Sequence, residues 1–426
     1  MPHPLPSLVF ANSAGEILDY DGLEMAGSAA GAFYRPQPDD LIELPEGSEL
    51  FVLPGRLPVG FEPGTSEPAL LAEHPCQPGE PIQAVAAFMA PAHTAVYTAA
   101  YQKIDNDAPL LPLFAYTAVG WMDGRFYVCA FRSDADTRQD PALFDQENIN
   151  RRTARQLAAH PDNRLIQHLG KCCLTYGCPA ARNYFLGRFE APLPCSPVCN
   201  ANCVGCISLQ PSGCCPSTQE RIKFVPSARE IADMAIPHLQ TAPRPVVSFG
   251  QGCEGEPLLQ AATMAEAVRR IRAATDRGTV NLNTNGSLPD AVRQLAASGL
   301  DSIRISMNSA QHHYHQRYYR PRGFALDDVC ESIAVMKEMG RHVSLNYFIL
   351  PGFTDDPAEF DALCKLVATY RPDLIQLRNL NMDPEYYLEA IDFTPTGQPL
   401  GMRAWLARLQ KRFPLLRFGY FNPALR

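Results

Sequence analysis

The rhythm of hydrophobic positions changes part-way along the 426-residue chain. Before about residue 165, short β-branched and aromatic runs alternate with turns rich in proline and glycine. Leu50-Phe51-Val52-Leu53 and Arg125-Phe126-Tyr127-Val128 are the clearest runs, and the pattern predicts a small, mainly β module. A helical stretch from Ile149 to Ala159 leads out of it. From about residue 186, apolar runs of strand length alternate regularly with helical periodicity. Strands are predicted at 188–193, 246–250, 280–283, 302–306, 343–350 and 374–380.

The ends of the intervening helices are marked. Ser227 and Glu230 have the spacing of a capping box, in which each side chain satisfies a free amide at the helix start. Asp356-Pro357-Ala358-Glu359 offers a cap, a proline at the first helical position and an acid in the first turn. Val329, Ile333 and Met336 recur at the spacing of a core-facing helix that Gly340 can close. Strands joined by helical crossovers predict an α/β fold with a parallel sheet, either an incomplete barrel or an open, doubly wound sheet. In both, reactive residues gather at the C-terminal ends of the strands. The expected divisions are an N-terminal β-rich accessory domain (1–165), a core (166–385) and a C-terminal extension packing on that core (386–426).

Composition narrows the chemistry. A net charge of −8 disfavours a broad nucleic-acid footprint, which needs a basic surface. The opening residues, MPHPLPSLVFANSAGE, lack the basic start and apolar stretch of an export signal, and no apolar run is long enough to span a membrane. The expectation is a cytoplasmic protein with no membrane partner. Fourteen cysteines then call for metal or redox chemistry rather than extracellular disulfides, and nine of them crowd between Cys172 and Cys215.

Within that crowd, Cys199, Cys203 and Cys206 form Cys-x3-Cys-x2-Cys in a loop just after the first predicted core strand. Three thiolates at this spacing can hold three corners of an iron–sulfur cubane and leave the fourth iron open. A structural zinc site is the competing reading, although only Cys203 and Cys206 make a Cys-x2-Cys pair and Cys214-Cys215 is a poor second pair. Electron transfer by an iron–sulfur protein and a zinc-stabilised binding protein are the alternative functions.

The cysteine loop resembles the signature of the radical S-adenosylmethionine (radical SAM) superfamily. Further elements fit the resemblance. Gly255-Glu256-Pro257 after the second strand is similar to the family's "GGEP" element, which contacts the methionyl amino group of SAM. Asn285 ends the third strand, and Ser306 and Asn308 end the fourth, where relatives reach the ribose or carboxylate of SAM. Phe348-Ile349-Leu350-Pro351-Gly352 is similar to the segment that borders the adenine. Two positions depart from the pattern: Gly205 replaces a common aromatic, and Glu254 stands where the first glycine of the pair belongs.

The resemblance implies a partial (β/α)6 barrel holding a [4Fe-4S] cluster and SAM, fed by an external one-electron donor such as a flavodoxin or ferredoxin. Reductive cleavage of SAM then yields a 5′-deoxyadenosyl radical that acts on a peptide or small-molecule substrate. No residue is assigned a catalytic role. An auxiliary iron–sulfur cluster is a further expectation, with Cys172, Cys173, Cys178, Cys195, Cys214 and Cys215 as candidate ligands. Arg304, Arg378, Asn379 and Asn381 are candidates for the barrel interior, and the run from His312 to His315 reads as a solvated loop.

Overall fold

The computed structural model describes residues 5–104, 108–111, 114–209 and 218–426. The chain forms two compact units. One comprises Met1–Ala135, Phe348–Ala362 and Leu377–Phe413, and the other Asp136–Tyr347, Leu363–Gln376 and Pro414–Arg426.

The first unit contains an 11-stranded sheet and a 3-stranded one, with antiparallel pairings throughout those described. The strand Gln83–Phe88 shows why small residues dominate here. Val85 and Ala87 pack into one apolar cluster and Ala84 and Ala86 into another, so this strand is covered on both faces. Both strands expected from the sequence are present, as Glu49–Leu53 and Arg125–Arg132. A buried ion pair also lies in this unit. The Arg56 guanidinium donates to Asp383 at 2.6 Å and to the Pro54 carbonyl at 2.8 Å, with both charged side chains fully buried.

The second fold element is a partial α/β barrel, whose seven strands follow sequence order, with parallel pairing along the first five and between the last two. They are Glu190–Pro192, Val246–Phe249, Thr279–Thr284, Ser302–Met307, His342–Ile349, Leu374–Asn379 and Arg417–Gly419. The first six match the predicted strands, and the short seventh extends the sheet beyond them. The third strand alternates Val280 and Leu282 with Asn281 and Asn283, yet all four are buried. This is the pattern of a strand with helices outside and a polar lumen inside.

Several lumen residues bond to one another, while the side-chain nitrogen of Asn283 is buried without a hydrogen-bond partner. Asn281 donates to Ser248 Oγ at 3.1 Å and accepts from Ser302 Oγ at 2.7 Å. Near the C-terminus, Asn422 donates to Glu190 at 2.8 Å and accepts from Gln376 at 2.9 Å. The inner network therefore holds the barrel without a buried polar group left open at those bonded positions.

The helix ends follow the sequence signals. Ser227 and Glu230 form the reciprocal capping box of helix Ala228–Thr241, and helix Pro357–Tyr370 starts at the predicted proline. Gly340 takes φ +67° two residues after helix Leu326–Glu338, in the left-handed region where glycine costs least. Helices Arg164–Leu174 and Pro179–Leu186, which precede the first barrel strand, had no prediction. Among the described residues no helix is long and apolar enough to cross a membrane.

Candidate functional site

The first barrel strand delivers the chain into a cysteine-bearing loop, whose described residues form no regular helix or strand before Ala228. Loop order must come from elsewhere, and four sets of contacts supply it. Glu254 is the centre of the first. Its Oε2 accepts the backbone amides of Cys195 (2.7 Å) and Ser196 (3.0 Å), and its Oε1 accepts those of Gly250 (2.6 Å) and Gln251 (2.8 Å). The residue that departs from the expected glycine thus joins the cysteine loop to the end of the second strand.

Next, the backbones themselves pair. The Gly255 amide donates to Ser196 O at 2.7 Å and the Glu256 amide to Val198 O at 2.8 Å. A side chain at Gly255 would collide with the Val198 carbonyl group, so close approach is what glycine provides here.

The third set comes from beyond the fourth strand. Amides of Asn202 and Val204 donate to the carbonyls of Tyr319 (2.9 Å) and Tyr318 (3.0 Å), while Arg322 donates to Cys199 O at 2.7 Å. The segment His312–Tyr319 is a helix rather than the expected loop, because Tyr314, His315, Tyr318 and Tyr319 bury one face of it. Burial also pushes the His315 imidazole down to about 4.

Glu256 and Asn285 complete the assembly. The Glu256 carboxylate, 3% exposed, accepts the Thr284 hydroxyl, the Leu258 amide (3.0 Å) and the Asn285 amide (2.9 Å). Asn285 donates its side-chain amide to Asn200 at 2.9 Å, and Asn200 in turn donates to Ser287 Oγ at 2.9 Å. Ends of the second and third strands are thereby bonded to the cysteine loop. Burial pushes the carboxyls of Glu254 and Glu256 up to about 7, against the opposing pull of the amides they accept.

Other predicted residues fall around this centre. Pro257 opens a short 3-10 helix, Pro257–Gln260, and is buried. Ser306 lies in the fourth strand, half-buried, and Asn308 follows it, fully buried, with its amide donating to Tyr314 O at 3.2 Å. Arg304 is half-buried and donates to Gln376 at 3.4 Å. Asn379, by contrast, is occupied structurally: it accepts from the Ala95 amide and donates to His93 O.

Cys199, Cys203 and Cys206 carry their thiols at half-buried positions. Burial pushes Cys199 and Cys203 up, and the charges of neighbouring thiols add to the effect. These two thiols ionise readily only with a cation present, as expected of metal ligands. Arg221 lies beside it, with Nη2 3.6 Å from Cys206 Sγ. Cys203 feels the charges of both Cys199 and Cys206, so the three sulfurs gather in one place, as three corners of a cubane require. The residues present therefore fit an iron–sulfur cluster.

Among the described residues, the remaining cysteines do not gather as a second set of their own. Cys195 is buried beside Glu254, and Cys173 faces Thr153 Oγ1 at 3.5 Å. Cys178 precedes helix Pro179–Leu186 as its N-cap residue. Cys214 and Cys215 lie outside the described residues. Cys172 instead meets two residues that were not singled out from the sequence, His168 and Cys253. The four-residue spacing of His168 and Cys172 was the one local clue, since it puts both on one helix face.

Residues 193–364 match the family model described as the Radical SAM superfamily. The chain is 26% identical over 230 residues to a probable dual-specificity RNA methyltransferase of Frankia alni, covering 49% of this chain and 53% of that one. It is 34% identical over 103 residues to a GTP 3′,8-cyclase of Aquifex aeolicus, covering 24% of this chain and 32% of that one. It thus spans about half the length of the first relative and about a third of the second. A solved radical SAM methyltransferase from Sphaerobacter thermophilus aligns with a TM-score of 0.38 at 16% identity, covering 56% of this chain and 67% of that one.

Proposed function

We propose that the chain, residues 193–364 of which match the Radical SAM superfamily model, is a radical SAM enzyme that reductively cleaves SAM at a [4Fe-4S] cluster held by Cys199, Cys203 and Cys206. The observation that carries the reading is the bonding of three separate segments into one centre: the cysteine loop, the Glu254–Glu256 turn and Asn285. When bound, the cluster supplies the electron that splits the sulfonium bond of SAM into methionine and a 5′-deoxyadenosyl radical.

The chain's own residues position and shield. Glu256 is the acceptor for the methionyl amino group, held in orientation by Thr284 and the Asn285 amide. Gly255 and Pro257 shape the turn that presents it. Asn285, Ser306 and Asn308 are the polar contacts for the ribose or carboxylate at the ends of the third and fourth strands. A buried carboxylate gives a stronger contact to an ammonium group than an exposed one, because less water competes for it. An external one-electron donor such as a flavodoxin or ferredoxin completes the system. The net charge of −8 favours a peptide or small-molecule substrate over RNA.

Anaerobic reconstitution followed by electron paramagnetic resonance tests the ligand set. The reduced protein should give a cluster signal whose g-values move on addition of SAM. The Cys199→Ala, Cys203→Ala, Cys206→Ala triple variant should give none. A cluster signal indifferent to SAM would favour simple electron transfer, and full iron content in the triple variant would exclude these three ligands.

A further inference from the structure

We propose that His168, Cys172 and Cys253 form a second metal site, separate from the cysteine loop, that takes one zinc-class divalent ion. His168 and Cys172 lie four residues apart on helix Arg164–Leu174 and so share a face. Cys253 reaches them from the turn after the second barrel strand. Among the described residues, these are the three ligand-type side chains whose donor atoms all lie within 4.8 Å of one another.

The spacing suits a single ion. Bonds of about 2.0–2.1 Å to imidazole and ~2.3 Å to thiolate, at tetrahedral angles, put nitrogen and sulfur about 3.6 Å apart and two sulfurs about 3.8 Å apart. His168 Nε2 and Cys172 Sγ stand 3.5 Å apart. An ion could therefore enter with little backbone movement. Donors packed this closely leave no room for a multi-iron cluster between them. One imidazole and two thiolates are the donor types zinc accepts, and the fourth position is left for water. Cys172 and Cys253 are both buried free thiols, so no disulfide competes for them.

The location gives the site a role. Cys253 directly precedes Glu254, and its own carbonyl accepts the Ile222 amide at 2.7 Å. An ion here would clamp helix Arg164–Leu174 to the turn that carries Glu254, Gly255 and Glu256. The inference does not depend on the cluster assignment, because the two sites share no ligand.

The test uses the full chain carrying Cys199→Ala, Cys203→Ala and Cys206→Ala, which removes the first ligand set and leaves the second. Elemental analysis should find one zinc per chain. Cobalt substitution should give thiolate-to-metal charge transfer together with tetrahedral visible bands. Adding Cys172→Ser and Cys253→Ser should abolish both, whereas His168→Cys should retain the ion and strengthen the charge transfer. The cobalt spectrum of the triple variant needs no further substitution, so a fold-breaking change at Cys172 would not obscure the result. Absence of stoichiometric zinc and cobalt binding would overturn the proposal. So would unchanged binding in the double serine variant, or iron and sulfide bound in place of a single ion. Loss of the cluster reading alone would leave the zinc count untouched.

Discussion

Replacing Gly255 by alanine perturbs the contact that fixes the cysteine loop. The new Cβ would stand 2.5 Å from the Val198 carbonyl carbon and 3.1 Å from the Cys199 amide nitrogen. Ordinary contact starts at 3.4 Å and the Val198 carbonyl oxygen lies nearer still, so the two backbones must separate by more than ~1 Å, which a close-packed interior resists. Separation breaks the Gly255–Ser196 and Glu256–Val198 hydrogen bonds, of 2.7 and 2.8 Å. Two bonds at roughly 0.5–1.5 kcal/mol each, with about 1–3 kcal/mol of overpacking, give a local cost of about 2–6 kcal/mol. That corresponds to at least a ~30-fold increase in loop opening. Hydrogen exchange of peptides covering 195–206 in cluster-free protein reads the opening directly. Iron and sulfide per chain after reconstitution read its consequence. Gly252→Ala is the internal control, since its Cβ meets only the far ends of the Ile207 and Gln219 side chains. A Gly255→Ala protein with native exchange and native iron content would refute the reasoning.

Three other substitutions test separate parts of the molecule. Asp383→Ala strands the buried Arg56 guanidinium and should cost about 3–5 kcal/mol, seen as a lower melting temperature of the β-rich unit; a loss below ~1 kcal/mol would mean the pair is dispensable. Glu230, held down to about 2 chiefly by its bonds to Arg164, contributes stability above its unfolded value near 4.5 that is lost as pH falls through about 2. The urea-midpoint gap between native protein and Glu230→Gln, of order 1 kcal/mol for a solvent-screened pair, should therefore shrink from pH 4.5 downwards; a constant gap would show that charge is not its origin. Glu256→Gln should weaken SAM binding at least ~10-fold in calorimetry while leaving iron content native, as expected on losing a charge-assisted hydrogen bond; equal affinity would remove Glu256 from the SAM contacts.

The barrel was legible because its strands carry two redundant signals. Val246-Val247-Ser248-Phe249 is a short apolar run buried throughout, and the helices between strands announce their ends, as Ser227 and Glu230 do. The seventh strand, Arg417–Gly419, has three residues and no such run, so only its parallel pairing with Leu374–Gln376 reveals it. The cysteine spacing marked the loop, but spacing says nothing of what orders a loop. Glu254 looked like a lapse from a glycine motif, and its role exists only when four amides from two segments converge on it. His168 and Cys253 are 85 residues apart in sequence, and tertiary folding alone brings them together. Likewise, the tyrosines after the fourth strand serve the cysteine loop through their carbonyls, which side-chain reasoning does not see.

The central claim is that this centre cleaves SAM, and product analysis tests it most directly. Anaerobically reconstituted, reduced protein should convert SAM to 5′-deoxyadenosine and methionine, and the triple cysteine variant should not. Iron-loaded protein that neither binds SAM nor forms 5′-deoxyadenosine under those conditions would contradict the account.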